Sequence, residues 1–105
     1  MDPRKFSDLV IFNRVAEERS FTAAARSLGV TQSAVSQTVK RLEADLGIRL
    51  LSRSTRSIAP TAAGERLLAT LAPVIAEIDA EIDDLEQLRE EPGGRLRVTC
   101  GKHAA

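Results

Sequence analysis

Residues that could carry out covalent or metal chemistry are scarce in this chain. Its single cysteine, Cys100, and its single histidine, His103, lie near the end of the 105-residue sequence. An enzyme needs a nucleophile beside a base, or a cluster of metal ligands, and these two residues supply neither. One cysteine also excludes an internal disulfide. The sequence therefore predicts a protein that is not an enzyme and that needs no cofactor or metal.

Polar side chains suited to hydrogen bonding share one face of a predicted helix. At about 100° per residue, Ser33, Gln37 and Lys40 lie nearly opposite the apolar residues of that helix. A glutamine amide can donate and accept at once and so pair with adenine, and a serine hydroxyl suits a base or a phosphate. A plain solvated surface would look the same, since these side chains need no partner. The residues alone leave both interpretations open.

Three helices are predicted in the first half of the chain. The first begins at Pro3 and runs to about Glu18, and the second is capped by Ser20 and ends at Gly29. After a turn of about three residues, the third spans about 32–46 and turns one apolar face inward. That face consists of Val35, Val39, Leu42 and Leu46.

A hairpin and a long helix are predicted to follow. Two short stretches, 49–53 and 56–59, are compatible with a small β-hairpin. A long helix then begins at Pro60 and Thr61 and carries apolar residues at alternating spacings of three and four. The seam residues are Leu68, Leu71, Ile75, Ile78, Ile82 and Leu85. We expect the seam to pair with a second copy of the helix, although packing against a further domain would use the same pattern.

The chain is expected to divide into three segments. A globular domain would occupy 1–60 and the long helix 61–91, and a helix-breaking Pro-Gly-Gly would introduce 92–105 as the truncated start of a further domain. We expect the first strand of that domain at 95–99.

Composition and charge narrow the class of protein. Hydrophobic residues make up 43% and charged residues 29%, a balance that argues against disorder and against a membrane span. No export signal is recognisable, so we expect a cytoplasmic protein. Residues 1–66 hold 11 basic and 7 acidic residues, a net charge of +4, whereas 67–105 hold 4 and 8, a net charge of −4. A nucleic-acid module with an acidic appendage would be charged in this way.

The small Ala25, the turn residue Gly29 and the inward Val35 have the spacing of a helix-turn-helix, a weak signal by itself. A longer pattern over about 6–68 closely resembles the LysR family of transcriptional regulators. It consists of Ser20-Phe21-Thr22-Ala23-Ala24-Ala25, Leu28, Thr31-Gln32-Ser33-Ala34-Val35-Ser36, Leu42-Glu43, Leu46-Gly47, Arg53, Thr61 and Ala63-Gly64. The sequence departs from the family at Leu51, often phenylalanine, and at Pro60, often aliphatic.

The resemblance implies a mainly α fold. We expect a winged helix-turn-helix of three helices and a small β-hairpin wing, followed by a long dimerisation helix. The third helix would enter the major groove of double-stranded DNA and the wing would reach the minor groove. A homodimer would bind an interrupted inverted repeat, and a C-terminal domain absent from this sequence would bind a small-molecule effector. The protein would then be cytoplasmic and associated with the nucleoid.

The resemblance also assigns roles to single residues. The positions that the family directs at base edges hold Gln32, Ser33, Ser36 and Gln37. Of the two wing arginines, we expect Arg56 in the minor groove, where a narrow groove concentrates negative potential, and Arg53 on a phosphate. The other expected phosphate contacts, at helix N-termini and basic side chains, are Thr22, Arg26, Thr31 and Lys40.

Two other functions compete with DNA binding. A winged helix can instead be a protein-interaction module, because fold alone does not determine function. The exposed face of its third helix would then be apolar or acidic, whereas here it is polar and basic. The second competing function is an effector sensor in its own right. A chain of this size lacks the part that would form a ligand pocket, so this function is not expected.

Overall fold

Four helices and a two-stranded hairpin make up residues 2–54 and 57–90, the part of the chain that the computed structural model describes. Their order is α1 (Pro3–Glu18), α2 (Phe21–Leu28), α3 (Gln32–Leu46), β1 (Leu51–Arg53), β2 (Ile58–Pro60) and α4 (Ala62–Glu90). The predicted mainly α architecture with a hairpin wing is confirmed. The chain divides into two compact units, the first ending at Ala72 and the second beginning at Pro73. The first unit thus includes the first turns of α4.

Capping residues determine where α2 begins and ends and where α3 begins. The hydroxyl of Ser20 accepts the backbone N–H of Ala23 at 3.0 Å, and that of Thr31 accepts the N–H of Ala34 at 3.0 Å. Each bond satisfies an N–H that the helix itself cannot. Gly29 ends α2 with a φ of +73°, a left-handed conformation that glycine adopts without a steric penalty. The helix-turn-helix therefore follows from local sequence.

The core of the first unit lies between α1, α2, α3 and the hairpin. The side chains with no exposed surface are those of Phe12, Val15, Ala24, Val35, Val39, Leu42 and Leu51. Burying each of the larger side chains, those of Phe12, the valines and the leucines, stabilises the fold by about 1.5–3 kcal/mol. The predicted inward face of α3 is correct for three of its four residues. Leu46 is 44% exposed because it occupies the last turn of α3, directly before the left-handed Gly47, where the chain turns away.

The hairpin is antiparallel, and its register pairs Leu51 with Pro60 and Arg53 with Ile58. The two departures from the family pattern, Leu51 and Pro60, therefore lie opposite each other. The prediction that Pro60 begins the long helix is wrong, because Pro60 is the last residue of β2 and α4 begins at Ala62.

The junction between the hairpin and α4 is tightly hydrogen-bonded. The hydroxyl of Thr61 accepts the N–H of Gly64 at 3.1 Å and donates to the carbonyl oxygen of Arg49 at 2.7 Å. The N–H of Thr61 also donates to the carbonyl oxygen of Leu50 at 2.9 Å. A Cβ at Gly64 would collide with that same Leu50 oxygen, so only glycine allows this approach.

Apolar side chains of α4 differ in exposure along the helix. Leu71, a predicted seam residue in the first unit, is buried, with 6% of its surface exposed. Leu68 and Ile75 are partly buried. In the described part of the second unit, the exposed large apolar residues are Val74, Ile78, Ile82, Leu85 and Leu88. The predicted seam did not include Val74 or Leu88.

Some expectations concern residues that the structure does not describe. Arg56, Cys100, His103 and the strand predicted at 95–99 all lie outside residues 2–54 and 57–90. Within those residues, no helix has both the length and the apolar character needed to cross a lipid bilayer. The same residues contain no group of three or more His, Cys, Asp or Glu side chains placed to hold a metal ion.

Candidate nucleic-acid interface

The third helix turns its polar residues to solvent. Because Val35, Val39 and Leu42 are fully buried, the opposite face is left outside the core. Ser33, Gln37 and Lys40 are exposed on that face. Among the described residues, none of these three side chains has a hydrogen-bond or ion-pair partner. Their donors and acceptors therefore remain available to a ligand. Of the other two predicted base contacts, Gln32 is exposed and Ser36 is partly buried.

One hydrogen bond joins the first turns of α2 and α3. The hydroxyl of Thr22 donates to Oε1 of Gln32 at 3.1 Å. The amide group of Gln32 is thereby oriented, and its nitrogen keeps two N–H donors for another acceptor. The structure thus brings together a predicted phosphate contact and a predicted base contact.

The remaining predicted phosphate contacts on the helix-turn-helix are exposed. Arg26 lies in the last turn of α2, and Lys40 lies one turn beyond Gln37 on α3. Thr31 is exposed too, although its hydroxyl already accepts the N–H of Ala34.

Arg53, the fifth predicted phosphate contact, has partners within the protein. Its side chain is 24% exposed and its Nη2 lies 3.3 Å from Oε1 of Glu43. Its guanidinium lies over the ring of Phe21, 5.5 Å from the centroid, within the range of a cation–π interaction. Arg53 therefore links β1 to both α2 and α3.

Glu43 connects the third helix to the hairpin. Its buried carboxylate accepts the backbone N–H groups of Leu50 at 2.8 Å and of Leu51 at 3.1 Å. Burial alone raises the pKa of Glu43, but the two backbone hydrogen bonds and the charge and hydrogen bond of Arg53 together lower it below its usual value. Glu43 is therefore a charged residue that holds the start of β1 against α3.

A groove of about 440 Å³ lies where the second half of α3 faces the start of the hairpin. Three basic residues line it, with Glu43 as the one acid among the described lining residues. The basic residues are Lys40, Arg49 and Arg53. Lys40 belongs both to the lining of the groove and to the polar face of α3, so the groove adjoins that face.

A sequence model described as a bacterial regulatory helix-turn-helix protein of the lysR family matches residues 6–65. The chain belongs to the LysR family. It is 50% identical over 105 residues to the HTH-type transcriptional regulator PgrR of Escherichia coli strain K12. That alignment covers all of this chain and 35% of PgrR, so the chain spans about a third of this relative's length.

Solved structures of LysR proteins have the same fold. The first is a crystal structure of a complex between BenM_DBD and catB site 1 DNA. Its protein chain has a TM-score of 0.68 and is 29% identical to this chain, and the match covers 85% of this chain and 96% of the BenM chain. The second is full-length CbnR in complex with its target DNA, with a TM-score of 0.63 and 39% identity over 83% of this chain and 29% of CbnR.

Two buried acids of this LysR chain have partners that the sequence alone did not predict. Asp8 is 3% exposed, and Arg41 donates to its two carboxylate oxygens at 2.8 and 3.2 Å, which ties α1 to α3. Glu43 was part of the LysR pattern, but without a contact assigned to it. Each acid does carry a signal, because Asp8 falls four residues before the buried Phe12 and Glu43 four residues after the buried Val39. A carboxylate within an apolar stripe must be paired when the stripe is buried.

Proposed function

We propose that this chain is the DNA-binding part of a LysR-type transcriptional regulator. The observation that carries the proposal is the exposed face of α3, on which hydroxyl, amide and ammonium groups stand without partners among the described residues. The known complexes of LysR relatives with DNA support it. An apolar or acidic face would instead have favoured a protein-interaction module.

In the proposed complex, α3 lies in the major groove and reads base edges through Gln32, Ser33, Ser36 and Gln37. The N-terminal turns of α2 and α3 approach the phosphates through Thr22 and Thr31, and the basic side chains of Arg26 and Lys40 add two further phosphate contacts. The hairpin is the wing, and Arg56 enters the minor groove. The proposed roles of these residues rest on exposure and on the family resemblance.

Dimerisation is proposed to use the second unit. Its exposed apolar residues recur at three- and four-residue spacings over Val74, Ile78, Ile82, Leu85 and Leu88, which is the pattern of a helix that pairs with another. A two-fold symmetric dimer presents two copies of α3, so we propose that it binds an interrupted inverted repeat.

The proposal for the whole protein extends beyond this chain. The relatives are transcriptional regulators about three times as long. We propose that the rest of the protein binds a small-molecule effector and that the regulator works in the cytoplasm, on the nucleoid. No catalytic step belongs to the proposal.

Selection of bound duplexes from a random DNA library tests the proposed function. The chain is expected to enrich one inverted repeat and to bind it at physiological salt more tightly than a scrambled duplex of the same length and composition. Equal affinity for the two duplexes would refute sequence-specific binding.

A further inference from the structure

Two arginines near β1 have different surroundings: Arg49 lies two residues before the strand, and Arg53 is its last residue. The side chain of Arg53 is 24% exposed and that of Arg49 is 63% exposed. Arg53 lies between the carboxylate of Glu43 and the ring of Phe21. Moving Arg53 onto a phosphate would break both contacts and leave the buried carboxylate with less compensation. Arg53 is therefore poorly available to DNA.

Arg49 is held much more loosely. Its Nε lies 3.6 Å from Oε2 of Glu43, and its Nη2 donates to the carbonyl oxygen of Leu51 at 3.4 Å. The same Glu43 oxygen already accepts two shorter bonds, from the N–H groups of Leu50 and Leu51. Since a guanidinium has five N–H donors, Arg49 keeps several for an outside acceptor.

The groove beside Arg49 has the charge of an anion site. Lys40, Arg49 and Arg53 contribute three positive charges and Glu43 one negative charge, which leaves a net charge of +2 among the described lining residues. Lys40 lies on the same face of α3 as Ser33 and Gln37. An anion in the groove would therefore adjoin whatever the polar face of α3 binds.

We propose that this groove takes a backbone phosphate of the DNA that α3 reads, with Arg49 and Lys40 as its contacts. Arg53 is then a positioning residue, which holds the wing against α2 and α3. This assignment rests on the proposed DNA binding and moves the wing-side phosphate contact from Arg53 to Arg49.

The salt dependence of DNA binding distinguishes the two arginines. Each phosphate contact contributes about −0.9 to the slope of log K against log salt concentration. For the 105-residue chain on its selected site, R49Q is expected to make the slope less steep by about 0.9 per half-site. Lys40→Gln is expected to act in the same direction. The melting temperature of R49Q should stay near that of the original chain, because Arg49 is mostly exposed.

Two further variants complete the test. Arg89→Gln removes an equal charge from an exposed position of the second unit, and its slope is expected to match that of the original chain. Arg53→Gln is expected to lower the melting temperature and to leave the slope nearly unchanged; a variant that does not fold at all would equally show that Arg53 holds the structure.

Three outcomes would overturn the assignment or its basis. If R49Q has the slope of Arg89→Gln, the groove holds no phosphate, although DNA binding itself stands. If Arg53→Gln reduces the slope with an unchanged melting temperature, Arg53 is the contact instead. If the original chain binds no duplex, the proposed function fails before the groove is tested.

Discussion

Gln37 is one of the residues of α3 that we propose distinguish one base from another. It is exposed, within about two turns of the Thr31 cap, where a recognition helix lies nearest the bases. Because a glutamine amide can bind adenine N6 and N7 together, Gln37→Ala should reduce discrimination at one base pair per half-site by about 1–3 kcal/mol. The salt slope should not change, since an amide neutralises no phosphate. Affinities for all single-base variants of the selected site measure this.

The same truncation at Gln87, an exposed residue of the second unit, provides the control for Gln37→Ala. Gln87→Ala should keep every base preference. If Gln37→Ala weakens all site variants equally, the amide contacts the backbone and does not read sequence.

Glu43 shows how one buried charge joins a helix to a hairpin. Glu43→Gln should lower the free energy of unfolding at pH 7 by about 1–3 kcal/mol, because hydrogen bonds to a charged group are lost or weakened. The pKa of Glu43 is lowered in the folded state from its ordinary 4.5. The carboxylate therefore stabilises the fold at pH values above 4.5, and this stabilisation is lost as the pH falls through the lowered pKa.

Urea denaturation at a series of pH values tests Glu43. The difference in stability between the original chain and Glu43→Gln should be full near neutral pH and should shrink in acid below 4.5. Glu77→Gln, at an exposed position of α4, should change stability little at any pH. A pH-independent difference for Glu43→Gln would mean that the charge of Glu43 is not what holds the wing.

The wing also depends on the size of Leu51. Its side chain has no exposed surface and it is paired in register with Pro60. Leu51→Phe restores the common residue of the family, yet it should destabilise this chain by about 1–3 kcal/mol, because the larger ring overfills a closed site. Thermal or urea unfolding measures the loss. Leu46→Phe, where the leucine is 44% exposed and lies outside the proposed dimer seam, is the matched control, and equal stability of the two variants would show that the wing has room for the ring.

The proposed dimer depends on the apolar seam of the second unit. Ile78 is 44% exposed, and in a helix pair its side chain would be buried. Ile78→Asp should produce monomers in light scattering with largely unchanged helix content in circular dichroism, because a dimer would bury an unpaired charge. Ala80→Asp adds the same charge at an exposed position two residues away, off the seam, and should remain dimeric. A dimer of unchanged strength in Ile78→Asp would show that the seam does not form the dimer.

The sequence alone determined where the helices of the first unit lie. The predicted bounds of α1 and α3 agree with Pro3–Glu18 and Gln32–Leu46, because caps, left-handed glycines and apolar periodicity act over only a few residues. The exposed face of α3 was predictable for the same reason. The start of α4 was misplaced because proline suits both the first turn of a helix and the end of an edge strand.

Only the tertiary structure decided which polar residues are used inside the protein. Asp8 and Arg41 form an ion pair although they are 33 positions apart. Arg53, on β1, contacts Phe21 on α2 and Glu43 on α3. Burial and ion pairing depend on such distant partners, which neither periodicity nor spacing specifies. The same holds for apolar residues, since Leu71 and Ile78 belong to one predicted seam and yet are 6% and 44% exposed. The choice of Arg49 over Arg53 as a phosphate contact follows from these contacts between elements.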